Sequence, residues 1–84
     1  MTHKKFRTNS GFWRDMEHQY KNSLVEEIRL TNGCSTKLYD INGTVVKVEN
    51  YKHYYDLMII GKINDILSVK KELTDKFKCK LEEI

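Results

Sequence analysis

The residues best suited to chemistry follow one another in a short stretch, NYKHYYD. It holds three tyrosines, a lysine and a histidine: Tyr51, Lys52, His53, Tyr54 and Tyr55. A lysine can neutralise a phosphate group, and an aromatic ring can stack on a nucleic-acid base. The composition of the stretch therefore predicts a surface that binds nucleic acid, and the alternative is the aromatic edge of a small sheet.

The same stretch also suggests a metal-independent ribonuclease. Such an enzyme needs an acid, a base and a stabilising charge, for which His53 would be the base, Lys52 the phosphate-binding group and Tyr54 or Tyr55 a proton-transfer group. Adjacent residues of a strand point to opposite faces, so these groups do not all converge on one substrate. We therefore expect a binding protein with no catalytic residue, and the ribonuclease is the alternative.

A second group of candidate residues is basic and lies near the N-terminus: Lys4, Lys5, Arg7 and Arg14. Residues 1–14 contain these four basic residues and no acidic one, whereas residues 15–84 hold 11 basic and 12 acidic residues. The net charge of +3 is thus an N-terminal property. We expect residues 1–9 to form a basic, flexible arm that follows a phosphate backbone, and the alternative is a solvated terminus without a partner.

Other kinds of site find no support in the sequence. Cys34 and Cys79 are far apart and have no second cysteine nearby, so neither a zinc site nor a CxxC redox pair can be drawn. The three histidines are equally dispersed. No glycine-rich phosphate loop or GxSxG motif is present. We expect two reduced thiols, no metal and no cofactor.

The size and hydropathy of the chain limit its architecture. A chain of 84 residues forms one domain and buries only ~60% of its unfolded surface, which leaves little room for a deep catalytic cavity. The longest aliphatic run, residues 57–60, is far shorter than the ~20 residues of a membrane span. We expect a cytoplasmic protein with no membrane partner, organised as the arm followed by a single α+β domain at residues 10–84.

The order of elements is predicted from periodicity and from two Asn-Gly pairs. Phe12, Met16 and Tyr20 recur at helical spacing and predict a helix over residues 11–22. Asn-Gly suits the type I′ turn of a tight hairpin. The two pairs separate stretches of β-forming sequence, which predicts strands at 24–31, 35–41, 44–49 and 54–62.

The C-terminal stretch predicts an amphipathic helix. Apolar residues recur there at spacings of three and four: Ile66, Val69, Leu73, Phe77, Leu81 and Ile84. Asn64 or Asp65 would cap its start. A helix that long could pair with a second copy, as could a sheet edge, so a homodimer is one expectation. A short final strand at residues 79–84 is the competing assignment.

These elements predict an α+β fold with an N-terminal helix, an antiparallel meander of three to four strands and a C-terminal amphipathic helix. That order resembles a double-stranded-RNA-binding domain, whose glycine and lysine signature has an echo in Gly61-Lys62 and Lys70-Lys71. The resemblance is one of topology and implies an RNA partner.

Residues 24–59 also resemble the Sm/Hfq family. A short helix leads into a strand that ends in Leu30-Thr31-Asn32-Gly33, like the family's first strand, and Tyr51-Lys52-His53 is similar to the Tyr-Lys-His of its bacterial members. In that family the lysine and histidine face a ring pore that holds uridine-rich RNA. The resemblance therefore implies that Lys52 and His53 contact RNA.

The composition as a whole is similar to that of small accessory proteins of large lytic bacteriophages. The chain has no proline and many lysines, asparagines and tyrosines. Proteins of that kind often bind host machinery or RNA, and some neutralise host defences such as toxin–antitoxin nucleases. We expect a small, non-catalytic RNA-binding protein, and the alternative is an antitoxin-like or anti-defence inhibitor that binds a host enzyme, with or without RNA between them.

Overall fold

The computed structural model describes four stretches of the chain, residues 2–8, 11–30, 33–51 and 54–84. Their elements are, in order, β1 (Thr2–Thr8), α1 (Gly11–Gln19), a 3-10 turn (Lys21–Ser23), β2 (Leu24–Arg29), β3 (Ser35–Ile41), β4 (Thr44–Asn50), β5 (Tyr55–Gly61), α2 (Ile63–Phe77) and β6 (Glu82–Glu83). The predicted α+β class is confirmed.

The meander from β2 to β5 matches the prediction to within two residues at each end. Its β3–β4 turn has positive φ at both central residues, 53° at Asn42 and 85° at Gly43, as a type I′ turn requires. The Asp40 carboxylate also accepts a hydrogen bond from the Gly43 amide at 2.8 Å. The first Asn-Gly pair is only partly visible, because Asn32 lies outside the described residues.

The sheet has six strands, not the three to four predicted, in the antiparallel order β2-β3-β4-β5-β1-β6. One added strand is β1, which occupies the residues expected to form a flexible arm and pairs with β5 along its whole length. The reason is alternation: Phe6 and Thr8 turn inward and are buried, while His3 and Arg7 turn outward. Phe6 is 1% exposed, so this segment belongs to the core.

The C-terminal helix is shorter than its apolar periodicity predicts. It ends at Phe77 because Lys78 takes the left-handed conformation, with φ of 50°. The chain then returns to the sheet, where β6 pairs with β1 and the Ile84 amide donates a hydrogen bond to the Lys5 carbonyl at 3.0 Å. Leu81 still reaches the core, at 5% exposure, but from a strand-like segment. The competing prediction of a short final strand is correct.

Both helices pack on one face of the sheet and leave the other face open. The covered face supplies a single cluster of buried residues with the helices: Phe6, Phe12, Met16, Tyr20, Tyr39, Ile41, Val46, Val48, Tyr55, Leu57, Ile59, Ile66, Val69, Leu73 and Leu81. The ring of Phe77 on α2 meets the rings of Phe12 and Tyr20 edge-on, which joins the two helices. None of the helices described is long and apolar enough to cross a membrane.

Candidate nucleic-acid interface

The open face of the sheet includes alternate residues of the neighbouring strands β1, β5 and β4: His3, Lys5, Arg7, Val45, Lys47, Glu49, Asp56, Met58 and Ile60. Residues opposite one another on paired strands point to the same face. Lys5 therefore lies across from Met58, with Lys47 on the far side, and Arg7 lies across from Asp56. The open face thus combines half-buried apolar side chains with several charges.

At one end of the open face, three planar groups lie on one another. The guanidinium carbon of Arg7 is 4.2 Å from the centre of the Tyr54 ring. The rings of Tyr54 and Tyr51 are stacked, with centroids 5.3 Å apart and planes 25° apart. We call these three residues the planar stack. It brings a cation from the N-terminal segment together with two tyrosines of the NYKHYYD stretch.

Hydrogen bonds to two carboxylates hold the planar stack in place. Arg7 donates from Nε and a terminal nitrogen to the two oxygens of Asp56, at 2.9 and 3.3 Å. The Asp56 side chain is only 7% exposed, so this pair is anchored in the sheet. The Tyr51 hydroxyl donates to Glu49, and the Tyr51 amide donates to the Tyr54 carbonyl at 3.1 Å. One backbone hydrogen bond therefore joins the two ends of the β4–β5 connection, and the side-chain bond holds Tyr51 against β4.

Two of these contacts shift pKa values in the planar stack, those of Arg7 and Tyr51. The hydrogen bond to Asp56 favours the charged form of Arg7 and raises its pKa. The hydrogen bond to the Glu49 carboxylate, assisted by partial burial, raises the pKa of Tyr51 to about 12. Both shifts favour a charged Arg7 guanidinium and a neutral Tyr51 ring, a combination suited to stacking on bases.

The cations of the open face differ in how far they are already neutralised. Arg7 is paired with Asp56, and Lys47 lies 3.8 Å from Glu49. Lys5, by contrast, forms no ion pair with any residue that the structure describes. Lys5 is therefore the open-face cation with most charge left for a phosphate.

The structure separates the seven residues predicted to bind nucleic acid. Lys5, Arg7 and Tyr51 lie on or beside the open face. Lys4, the neighbour of Lys5, points to the other face and pairs with Glu83 at 3.2 Å, and Arg14 lies exposed on α1. The remaining two, Lys52 and His53, lie outside the described residues.

The sequence did not single out Tyr54 as a partner of Arg7. It does contain the signal, because Tyr55, Leu57 and Ile59 alternate with Tyr54 and Asp56 along the strand. Tyr55 is buried at 8% exposure. Tyr54 lies on the opposite side and joins the planar stack. The side chains of Tyr54 and Tyr55 therefore lie on opposite faces of the sheet.

The helix-covered side carries a cavity of about 300 Å³ beside α1, lined by Glu17, Glu27, Arg29, Leu30, Gly33, Cys34 and Ser35. Next to it the buried ammonium of Lys37 is bonded to Glu17. Cys34 and Cys79 are both free thiols, and burial raises the pKa of Cys79. No group of three metal-binding side chains occurs in the described part of the chain.

Comparison with known proteins adds no assignment. No family model, curated protein or solved structure matches this chain. The resemblance to Sm/Hfq proteins thus stays an expectation from two short motifs, parts of which, Thr31-Asn32 and Lys52-His53, lie outside the described residues. The open face itself is therefore the feature that indicates a function.

Proposed function

We propose that this protein binds single-stranded RNA on its open face, at the planar stack of Arg7, Tyr54 and Tyr51, without catalysis. The stack is the observation that carries the proposal. It presents a half-exposed Tyr51 ring, backed by a second ring and a guanidinium, at the edge of an uncovered sheet. A base placed on such a ring extends the stack, and each stacked base contributes about 1–3 kcal/mol.

The charges around the planar stack supply the second half of the interaction. Lys5 and Arg7 are two positions apart on β1 and point to the same face, so a backbone crossing β1 meets both cations. Lys52 and His53 directly follow Tyr51 in the chain, so the same stretch of sequence adds a further cation and a titratable ring. Asp56 and Glu49 neutralise part of this charge. We therefore expect few phosphate contacts and a modest dependence on salt.

Replacing the outer ring of the planar stack should weaken RNA binding. Tyr51→Leu removes the stacking surface but keeps an apolar side chain, and we expect the dissociation constant for a fluorescein-labelled oligouridine to rise about 5- to 150-fold. Fluorescence anisotropy at fixed salt measures the change.

Tyr51→Phe is the matched control, because it keeps the ring and loses only the hydroxyl bonded to Glu49. Its dissociation constant should stay within about threefold of the wild-type value if stacking supplies most of the binding free energy at this position. If circular dichroism shows that the leucine and phenylalanine variants are both folded and the two bind RNA equally, the planar stack is not part of the RNA interface.

Two adjacent lysines test the electrostatic contribution to RNA binding. Lys5 points to the open face and Lys4 to the other, so Lys5→Gln and Lys4→Gln remove the same charge from opposite faces of one strand. We expect only Lys5→Gln to weaken RNA binding and to reduce the slope of log K against log salt by about 0.7, the value of one single-strand phosphate contact. An equal loss for both variants would show that net charge, not the open face, governs binding.

A different outcome would favour a protein partner. If the wild-type chain binds no labelled RNA at low salt and copurifies with no nucleic acid, the alternative function becomes the working one: an antitoxin-like or anti-defence inhibitor of a host enzyme. A pull-down with and without nuclease treatment then distinguishes direct protein binding from binding bridged by RNA.

A further inference from the structure

The strand β2 forms one edge of the sheet, and it carries both exposed apolar and charged residues. All six of its residues are exposed, including Val25 at 68% and Ile28 at 45%. On one side it pairs with β3, and no strand in the described part of the chain pairs with its other side. An open edge of this kind presents unpaired backbone groups and is a template for another strand.

The backbone of β2 has a defined set of groups directed at that edge. The Leu30 amide donates to the Cys34 carbonyl at 2.9 Å, so Leu30 directs its backbone groups toward the chain that continues into β3. These directions alternate along an antiparallel strand. Glu27 and Arg29 therefore direct their N–H and C=O groups outward, where a second strand can bond to them.

The side chains of the same two residues are self-complementary. Glu27 and Arg29 lie on one face of β2 and form an ion pair at 3.2 Å, and the Arg29 side chain is 84% exposed. When two identical strands pair antiparallel about a two-fold axis, one residue lies opposite the same residue of the second copy. The choice of that residue determines which residues face each other along the rest of the strand. Centring the axis on Glu27 or Arg29 sets like charges face to face. Centring it on Ile28 sets Glu27 of each copy opposite Arg29 of the other.

We propose that two copies of this protein associate through antiparallel pairing of β2 with β2, with the two Ile28 side chains facing each other. Glu27 and Arg29 of each copy then form hydrogen-bonded pairs with Arg29 and Glu27 of the other, giving about four backbone hydrogen bonds. Their side chains form an alternating group of four charges. The contact also covers the Ile28 side chain, which is exposed in the single chain.

Two features confine this pairing to a closed dimer. The register of β2 against β3 shifts between Leu24 and Glu26, and a bulge of this kind twists a strand and ends regular pairing. The new ladder is thus limited to Glu26–Leu30. At the opposite edge, both the two-residue strand β6 and residues 2–4 of β1, which β6 does not pair with, are too short to extend the assembly. A two-fold contact between β2 strands uses up the only long edge described.

Charge reversal tests both the edge and its register by sedimentation equilibrium on the full chain. The wild type should be a reversible dimer. Arg29→Glu places glutamates opposite each other twice and should raise the dimer dissociation constant at least about tenfold. Glu27→Arg should act similarly through two arginine pairs. The double variant, or a mixture of the two single variants, restores opposite charges and should return the constant to within about threefold of wild type.

Lys80→Glu is the matched control, since Lys80 is 85% exposed and also lies two residues from a paired glutamate, Glu82, 3.7 Å away. It makes the same change in net charge as Arg29→Glu and should leave dimerisation unchanged. Circular dichroism shows which variants fold. If Glu27→Arg does not fold, the dimer dissociation constants of Arg29→Glu and Lys80→Glu still test the proposal by themselves. A monomeric wild type, equal effects of Arg29→Glu and Lys80→Glu, or folded single variants without rescue would each overturn the proposal.

Discussion

Replacing Phe6 with alanine should lower the free energy of unfolding by about 3–5 kcal/mol, the usual cost of removing a buried aromatic side chain. Phe6 is 1% exposed, faces Leu57 across the β1–β5 ladder and lies under the Lys70 ammonium of α2. A domain of this size has only about 5–15 kcal/mol in total, so the variant should be partly unfolded at 37 °C. Chemical denaturation followed by circular dichroism measures the change.

His3→Ala provides the control, because His3 lies on the same strand but is exposed, and it should change the free energy of unfolding by less than about 0.5 kcal/mol. Deleting residues 1–8 should lower the free energy of unfolding more than Phe6→Ala does, since it removes β1 from between β5 and β6. If the deleted protein unfolds with wild-type cooperativity and midpoint, this segment is an arm after all and the sheet does not need it.

The protein should lose stability steeply as the pH rises above about 10. Burial raises the pKa of three tyrosines, Tyr39 to about 12 with help from the Glu17 and Glu27 carboxylates, and Tyr20 and Tyr55 in the same direction. An unfolded tyrosine ionises near pH 10. Between that pH and the folded pKa, the folded protein keeps protons that the unfolded chain releases, so stability falls with increasing pH.

The magnitude follows from the same linkage. Each retained proton lowers the free energy of unfolding by about 1.4 kcal/mol per pH unit, which for Tyr39 alone amounts to about 2–3 kcal/mol between pH 10 and 12. Below pH 10 these tyrosines do not make the free energy of unfolding depend on pH. Denaturant midpoints taken from pH 8 to 11.5, with tyrosine ionisation followed by ultraviolet absorbance, measure the effect.

Tyr39→Phe removes one retained proton but leaves the same ring in the core. Because the pKa of Tyr51 is also raised, four tyrosines contribute, and the alkaline slope should flatten by about one quarter. Tyr51 would not serve for this comparison, because its pKa is raised mainly by Glu49 and not by burial. Stability that stays constant to pH 11, or core tyrosines that ionise near pH 10 in the folded protein, would contradict the expected burial.

The meander was predictable because its information is local. An Asn-Gly pair, alternating residues and short connections are all readable within about ten positions, and the β3–β4 turn matches the expected geometry at Asn42 and Gly43. The strand β1 was not predictable in this way. Its inward side carries Phe6 as the one large apolar residue, and its lysines and arginine look like those of a solvated tail. Pairing with β5, far along the chain, supplies the missing burial.

The same distinction holds for the candidate site. Tyr51 and Arg7 could each be selected by residue type, but their proximity depends on the β1–β5 register, which no local pattern encodes. Tyr54 and Tyr55 begin the strand predicted at 54–62, and only their alternation shows which of the two tyrosines points outward. The C-terminal helix was predicted to be too long because Leu81 keeps the apolar period after the backbone has already left the helix at Lys78.

The distance along the chain between β1 and β5 also affects the order of folding. Strands β2 to β5 are joined by connections of at most five residues, so each can form a hairpin with its neighbour soon after collapse. β1 must instead find β5 across about fifty intervening residues, and closing so long a loop costs entropy before any contact repays it. We expect β1 to be added after the meander has formed. The planar stack, which needs Arg7 from β1, is then assembled only at the end of folding.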